Sequence, residues 1–115
     1  MPVYKQGDVV LVLFPHTDLR TAKQRPALVV QADNLQTGLS QLIVAMITSR
    51  MQRANHPSRV VVRRSTAEGR RSGLLSDSVV MTDNLATVAI PEIERVIGNL
   101  PMDPVKMALR HTLGL

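Results

Sequence analysis

The stretch that decides the fold is GDVVLVLFP, residues 7–15. It holds an apolar run from Val9 to Phe14, which Gly7-Asp8 precede and Pro15 follows. Short β-branched runs bounded by Gly, Asp and Pro are typical of strands. The pattern predicts a β-strand near the start of the chain.

Similar short runs recur along the rest of the sequence. They are Ala27–Val30, which Pro26 opens as the first residue of a strand, Leu42–Ile47, Val60–Val62, Val79–Met81 and Ala86–Ile90. Their spacing predicts a single all-β domain over residues 1–115, a barrel or a sandwich, and a barrel would hide the strand edges.

One helix is predicted at the C-terminus. Asp103 is a plausible N-cap, Pro104 suits the first helical position and Gly114 can end the helix. The face toward the barrel would hold Val105, Ala108, Leu109, Thr112 and Leu113. A second helical turn is predicted from Glu92 to Val96, and the basic stretch Arg63–Gly73 is interpreted as a loop.

The charge and composition favour a polyanionic partner. Fourteen Lys and Arg face nine Asp and Glu, a formal charge of +5, and arginine predominates among the cations. Two aromatic residues are too few for a base-stacking platform. The sequence has no cysteine and no apolar run near the ~20 residues that span a membrane, so we expect a soluble cytoplasmic protein.

The motifs exclude several chemistries. The three histidines show no metal-ligand spacing, no nucleophile elbow occurs and no glycine-rich phosphate loop is present. We therefore expect no metal and no cofactor. The composition permits RNA cleavage by the substrate's own 2′-hydroxyl, which needs positioning, proton transfer and charge stabilisation.

Four blocks, in order, carry a family resemblance. They are GDVVLV with FPHTDL and KQRPALVV (residues 7–30), VAMITS (44–49), GL with DSVV (73–80) and IGNL (97–100). Together they resemble the MazF/PemK toxins over nearly the whole chain. The resemblance implies an SH3-like barrel of five to seven strands with a C-terminal α-helix. It also implies a metal-independent, sequence-specific endoribonuclease.

The resemblance also implies the site residues. Arg25, Thr48 and Asp83 would be catalytic, and RNA contacts would come from His16, Asp18, Lys23, Ser49 and Asn84. A guanidinium stays protonated in proteins, so a clamp on phosphorane charge suits Arg25 better than proton transfer. Met81 stands where some members carry a second catalytic arginine.

The partners implied are single-stranded RNA, a second copy of the chain and a cognate antitoxin peptide, with no membrane. Two alternatives stay open. One is a CcdB-like gyrase poison without catalysis, although the C-terminus lacks tryptophan. The other is a family member that binds RNA without cutting it.

Overall fold

A computed structural model of the chain describes residues 3–15 and 22–115, with the backbone alone for Phe14, Pro15 and Ala22. Over these ranges the antiparallel strands are β1 (Asp8–Pro15), β2 (Ala22–Val29), β3 (Gln41–Thr48), β4 (Arg59–Val62), β5 (Ser78–Ala89) and β6 (Ile93–Asn99). They form one sheet in the order β4-β5-β3-β2-β1-β6. The helices are α1 (Ala67–Ser72) and α2 (Asp103–Leu113). The prediction of a mainly β fold with a C-terminal helix is confirmed.

Apolar side chains are buried on both faces of the sheet. Val9, Leu28 and Ala45 pack on one face together with Val105 of α2. The next residues along the strands, such as Val10 and Val44, pack in a second cluster on the other face. Burial on both sides explains why the strands are nearly continuous apolar runs rather than alternating ones.

β5 corrects the prediction of two separate short strands. Met46 pairs with Met81, whereas the preceding residue, Ala45, pairs with Leu85. The residues between Met81 and Leu85 therefore bulge out of the ladder, and the strand bends there. The polar residues that separate the two apolar runs belong to this bulge rather than to a turn.

β2 begins earlier than predicted. Pro26 was expected at the first position of the strand, but it lies inside β2, opposite Leu11 of β1. The pairing of β2 with β3 covers only Ala27 to Val29. Before Ala27 the strand has one partner, so the missing N–H of Pro26 removes no ladder bond on that open side.

Two predictions about helices are wrong. The stretch Glu92–Val96 belongs to a short 3-10 turn, Ile90–Glu92, and to β6, because β6 pairs with β1. The stretch interpreted as a basic loop contains α1, which Thr66 caps by accepting a hydrogen bond from the Gly69 N–H and which left-handed Gly73 ends.

α2 follows its prediction apart from its N-cap and Leu113, which was predicted to face the barrel but is exposed. The capping position is Met102, so Asp103 does not cap the helix with its side chain. Val105 and Ala108 are buried, and Gly114 ends the helix at a φ of 71°. The Thr112 hydroxyl hydrogen-bonds that of Thr82 at 2.7 Å, which ties the last turn of α2 to β5.

α1 packs against β6 at two glycines. A Cβ at Gly98 would clash with the backbone of Arg71 and Ser72, and one at Gly73 would clash with Ile97. We predict that Gly98→Ala lowers the free energy of unfolding by about 2 kcal/mol, because backbone must move to admit the methyl group. Urea unfolding followed by circular dichroism measures the effect.

Gly38→Asn is the matched control. Gly38 has a φ of +77° with nothing within 4 Å, and asparagine tolerates that conformation. If the two variants have equal free energies of unfolding, the backbone of α1 does not pack against Gly98 as closely as described.

Candidate active site

A groove of about 580 Å³ opens where the ends of β2 and β3 meet β6 and the segment after α1. Arg25 and Thr48, the two residues at the centre of the sequence prediction, both line it. The full lining is Leu11, Lys23, Gln24, Arg25, Pro26, Ile47, Thr48, Ser49, Arg50, Gly73, Leu74, Leu75, Ser76, Ser78, Arg95 and Ile97. The groove is thus the place where the predicted chemistry could occur.

The sheet register explains why Arg25 and Thr48 come together. The β2–β3 ladder ends at the pair Ala27–Met46. Arg25 and Thr48 each lie two residues beyond that pair, at the same end of the ladder because the strands are antiparallel. Alternate residues of a strand share a face, so both continue the face of this last pair.

The hydroxyl of Thr48 is oriented by the turn that follows β3. Its Oγ1 accepts a hydrogen bond of 3.2 Å from the backbone N–H of Arg50. With that lone pair engaged, the hydroxyl proton is left to be donated elsewhere. Ser49, which a regular strand would have placed on the opposite face, lines the groove because β3 ends at Thr48.

Four cations line the groove: Lys23, Arg25, Arg50 and Arg95. The lining residues include no Asp or Glu. Within residues 3–15 and 22–115, none of the four forms a salt bridge. Gln24 donates its side-chain amide to the carboxylate of Glu94 at the rim. Unpaired cations around one concave surface create a positive potential, so the groove is suited to an anion.

Three lining residues, Leu11, Ile47 and Ile97, form the apolar floor of the groove. One wall, the segment 72–77, is held in place by side-chain hydrogen bonds. Ser72 is fully buried; its hydroxyl donates to the Gly69 carbonyl at 2.5 Å and accepts from the Leu74 N–H at 3.1 Å. Further along this wall, Asp77 accepts from the Arg64 N–H at 2.8 Å and from the Arg63 guanidinium at 3.3 Å. These bonds lower the pKa of Asp77, with the Arg64 N–H contributing most.

The other predicted site residues lie elsewhere. Asp83 forms an ion pair of 2.7 Å with Arg59, and this partner lowers the pKa of Asp83. Asp83 and Asn84 belong to the exposed bulge of β5, and neither lines the groove. Met81 is buried. His16 and Asp18 lie outside the described residues.

Two cations of the groove, Arg50 and Arg95, were not predicted from the sequence. Arg50 directly follows the ITS motif, so its position next to Thr48 was a usable signal. Arg95 had no such signal, because it reaches the groove only through the pairing of β6 with β1. Its stretch of sequence had been interpreted as helical.

Among residues 3–15 and 22–115, no three His, Cys, Asp or Glu side chains lie close enough together to hold a metal ion. In the same residues, no helix combines the length and the apolar character needed to cross a membrane.

Solved structures of other proteins share this fold. The chain matches an endoribonuclease in complex with its cognate antitoxin from a mycobacterial species with a TM-score of 0.73, at 22% identity, covering 97% of this chain and 96% of that one. It matches MazE-MazF (Form-II) from Deinococcus radiodurans with a TM-score of 0.74, at 21% identity, over 100% and 99% of the two chains. The fold is therefore that of the MazF-like toxins.

Sequence comparison gives the family. Residues 5–113 match the model of the PemK-like, MazF-like toxin of type II toxin-antitoxin systems. Endoribonuclease EndoA of Bacillus subtilis (strain 168) is 31% identical over 117 residues, which is 98% of this chain and 97% of the relative. The chain belongs to the PemK-like, MazF-like toxin family.

The lowered pKa of Asp77 gives a prediction about acid stability. A carboxylate whose folded pKa lies below the ordinary 3.8 stabilises the fold above that value, and this stabilisation is lost as the pH falls through the folded pKa. We predict that Asp77→Asn lowers the free energy of unfolding at neutral pH and that the difference from wild type shrinks below about pH 4.

Urea unfolding at neutral and acidic pH measures this difference. The amide oxygen of the introduced asparagine can still accept from the Arg64 N–H, so the variant removes the negative charge and, with it, the hydrogen bond from Arg63. A difference that stays constant with pH would mean that the charge of Asp77 does not stabilise this wall.

Proposed function

We propose that the chain is an endoribonuclease toxin that cleaves single-stranded RNA at a specific sequence without a metal ion. The observation that carries the proposal is that Arg25 and Thr48 share one groove with three further cations and no lining carboxylate. Family membership supports the same activity, since a relative aligned over nearly its whole length is named as an endoribonuclease.

The reaction needs no nucleophile from the protein. The 2′-oxygen of a ribose attacks the adjacent phosphorus, and the bond from phosphorus to the 5′-oxygen breaks. The products are a 2′,3′-cyclic phosphate and a 5′-hydroxyl. One proton leaves the 2′-hydroxyl for a base and another reaches the departing 5′-oxygen, so an acid and a base are needed.

Arg25 and Thr48 stabilise the charge that develops at phosphorus. The guanidinium stays protonated and offers a fork of donors to the non-bridging oxygens. The Thr48 hydroxyl, oriented by the Arg50 N–H, donates to the same phosphate. Both donors are in place before the reaction, so little reorganisation is required as charge builds up.

The remaining predicted residues divide by position. Lys23 and Ser49 are proposed RNA contacts because they line the groove. His16 is the proposed proton carrier, since histidine titrates near neutral pH, and Asp18, two residues further on, is a proposed RNA contact. Asp83 receives no catalytic role here because Arg59 holds its carboxylate outside the groove, and Asn84 lies on the same bulge.

An antitoxin segment of acidic character is the proposed inhibitor. The same groove cations that suit RNA would attract carboxylates, and an apolar floor would accept apolar side chains between them. A homodimer and a cytoplasmic location complete the proposal. Light scattering of the purified chain tests the dimer.

Replacing Arg25 tests the mechanism directly. We predict that Arg25→Ala lowers the cleavage rate roughly 10³-fold with EDTA present, because a transition-state donor is lost. The side chain is exposed, so the urea midpoint should stay near that of wild type. The cleavage sequence is first found by mapping new 5′-hydroxyl ends after expression, and a fluorogenic oligonucleotide then reports the rate.

Arg64→Ala is the matched control. It removes the same charge from an exposed arginine outside the groove. Full activity of Arg25→Ala would remove this arginine from the mechanism. If the wild-type protein binds RNA but leaves it intact, the chain is a non-catalytic family member.

Replacing Thr48 separates the hydroxyl from the shape of the side chain. We predict that Thr48→Val loses about 10²-fold or more in rate, whereas Thr48→Ser keeps most of the activity because its hydroxyl can make the same two hydrogen bonds. Single-turnover cleavage measures both variants. Equal rates for serine and valine at this position would contradict the role of the hydroxyl.

A further inference from the structure

The far wall of the groove carries a cation that the proposed cleavage does not use. Arg95 lies on β6 and pairs with Leu11 of β1. Arg25 lies on β2 and pairs with the next residue of β1, Val12. β1 therefore separates the two arginines, although both line the same groove.

The register places Arg95 on the opposite side of β1 from Arg25, so the two side chains enter the groove from different strands. Neighbouring strands are about 4.8 Å apart, so two strand spacings separate the backbones of Arg25 and Arg95 by about 10 Å. Thr48 lies on the other side of Arg25, across the opening where β2 no longer pairs with β3. Paired residues of neighbouring strands share a face of the sheet, and Leu11 and Val12 point to opposite faces. Arg95, which pairs with Leu11, and Arg25, which pairs with Val12, therefore project from opposite faces of the sheet.

The surroundings of Arg95 give it no other described role. It is exposed, and within residues 3–15 and 22–115 it forms no salt bridge. Its chain neighbour Glu94 is engaged by the Gln24 amide. The apolar floor of the same groove consists of Leu11, Ile47 and Ile97.

We propose that Arg95 binds a second phosphate of the RNA, one that is not cleaved, on the far side of this floor. The inference rests on the proposed function and specifies its substrate. The recognised unit is a single-stranded segment with at least two phosphates, the scissile one at Arg25 and Thr48 and a flanking one at Arg95. The nucleoside between them lies over Leu11, Ile47 and Ile97.

The first test measures binding without cleavage. The probe is a randomised single-stranded RNA pool with 2′-O-methyl riboses, and fluorescence anisotropy follows its binding over a series of salt concentrations. We expect Arg95→Ala to weaken binding about tenfold at low salt. The slope of log affinity against log salt should become shallower by about 0.7, the value for one phosphate contact on a single strand.

Arg64→Ala and Arg95→Lys are the controls. Arg64→Ala removes one charge outside the groove and should leave the slope unchanged, while lysine at position 95 should restore most of it. If Arg95→Ala and Arg64→Ala have the same slope, the proposal is overturned. Because no cleavage is needed, this result is independent of the proposed activity.

The second test locates the phosphate. A non-cleavable RNA with the mapped cleavage sequence is made with a single neutral methylphosphonate at each linkage in turn. Wild type should lose affinity at the scissile linkage and at one flanking linkage. Arg95→Ala should become insensitive at the flanking linkage alone, since the contact is already missing. Insensitivity at the scissile linkage instead would place Arg95 on the cleaved phosphate and overturn the proposal.

Discussion

The groove exists because β2 stops pairing with β3 at Ala27. The next residue toward the groove is Pro26, which has no N–H to offer β3 and which itself lines the groove. β2 continues along β1 as far as Ala22, so the strand keeps its direction while its other side opens. Arg25 and Thr48 are the first residues on either side of this opening that continue the face of the last pair. A proline that would be costly in a central strand is therefore tolerated here, because it lies where the pairing ends and the groove begins.

The distribution of carboxylates decides where the positive charge acts. Asp83 is paired with Arg59 and Asp77 with Arg63, both outside the lining of the groove or behind its wall. These pairs neutralise Arg59 and Arg63, neither of which lines the groove. The four lining cations are exposed and remain unneutralised among the described residues. The formal charge of +5 thus understates how strongly the groove attracts an anion.

Local apolar runs were enough to predict most of the fold, but elements that depend on pairing or capping were not. β1 and β3 were predicted within one residue at each end, since their apolar runs are buried on both faces. β6 was missed because Glu94, Arg95 and Val96 are exposed, so its sequence lacks an apolar run. At the site, the family motifs predicted Arg25, Thr48, Lys23 and Ser49, all of which line the groove. Arg95 could not be predicted, because only the register of β6 on β1 brings it there.

A site of this kind uses substrate binding itself for catalysis. Since the proposed nucleophile belongs to the RNA, no protein side chain has to be activated by burial or by a strongly shifted pKa. In the proposed mechanism, positioning and charge stabilisation come from exposed cations and one oriented hydroxyl, while His16 carries the proton. Such a site costs the fold little stability, because it requires no buried charge. The same exposure leaves it open to any polyanion of matching spacing, so an acidic antitoxin segment could inhibit the enzyme by occupying the cations that the phosphates require.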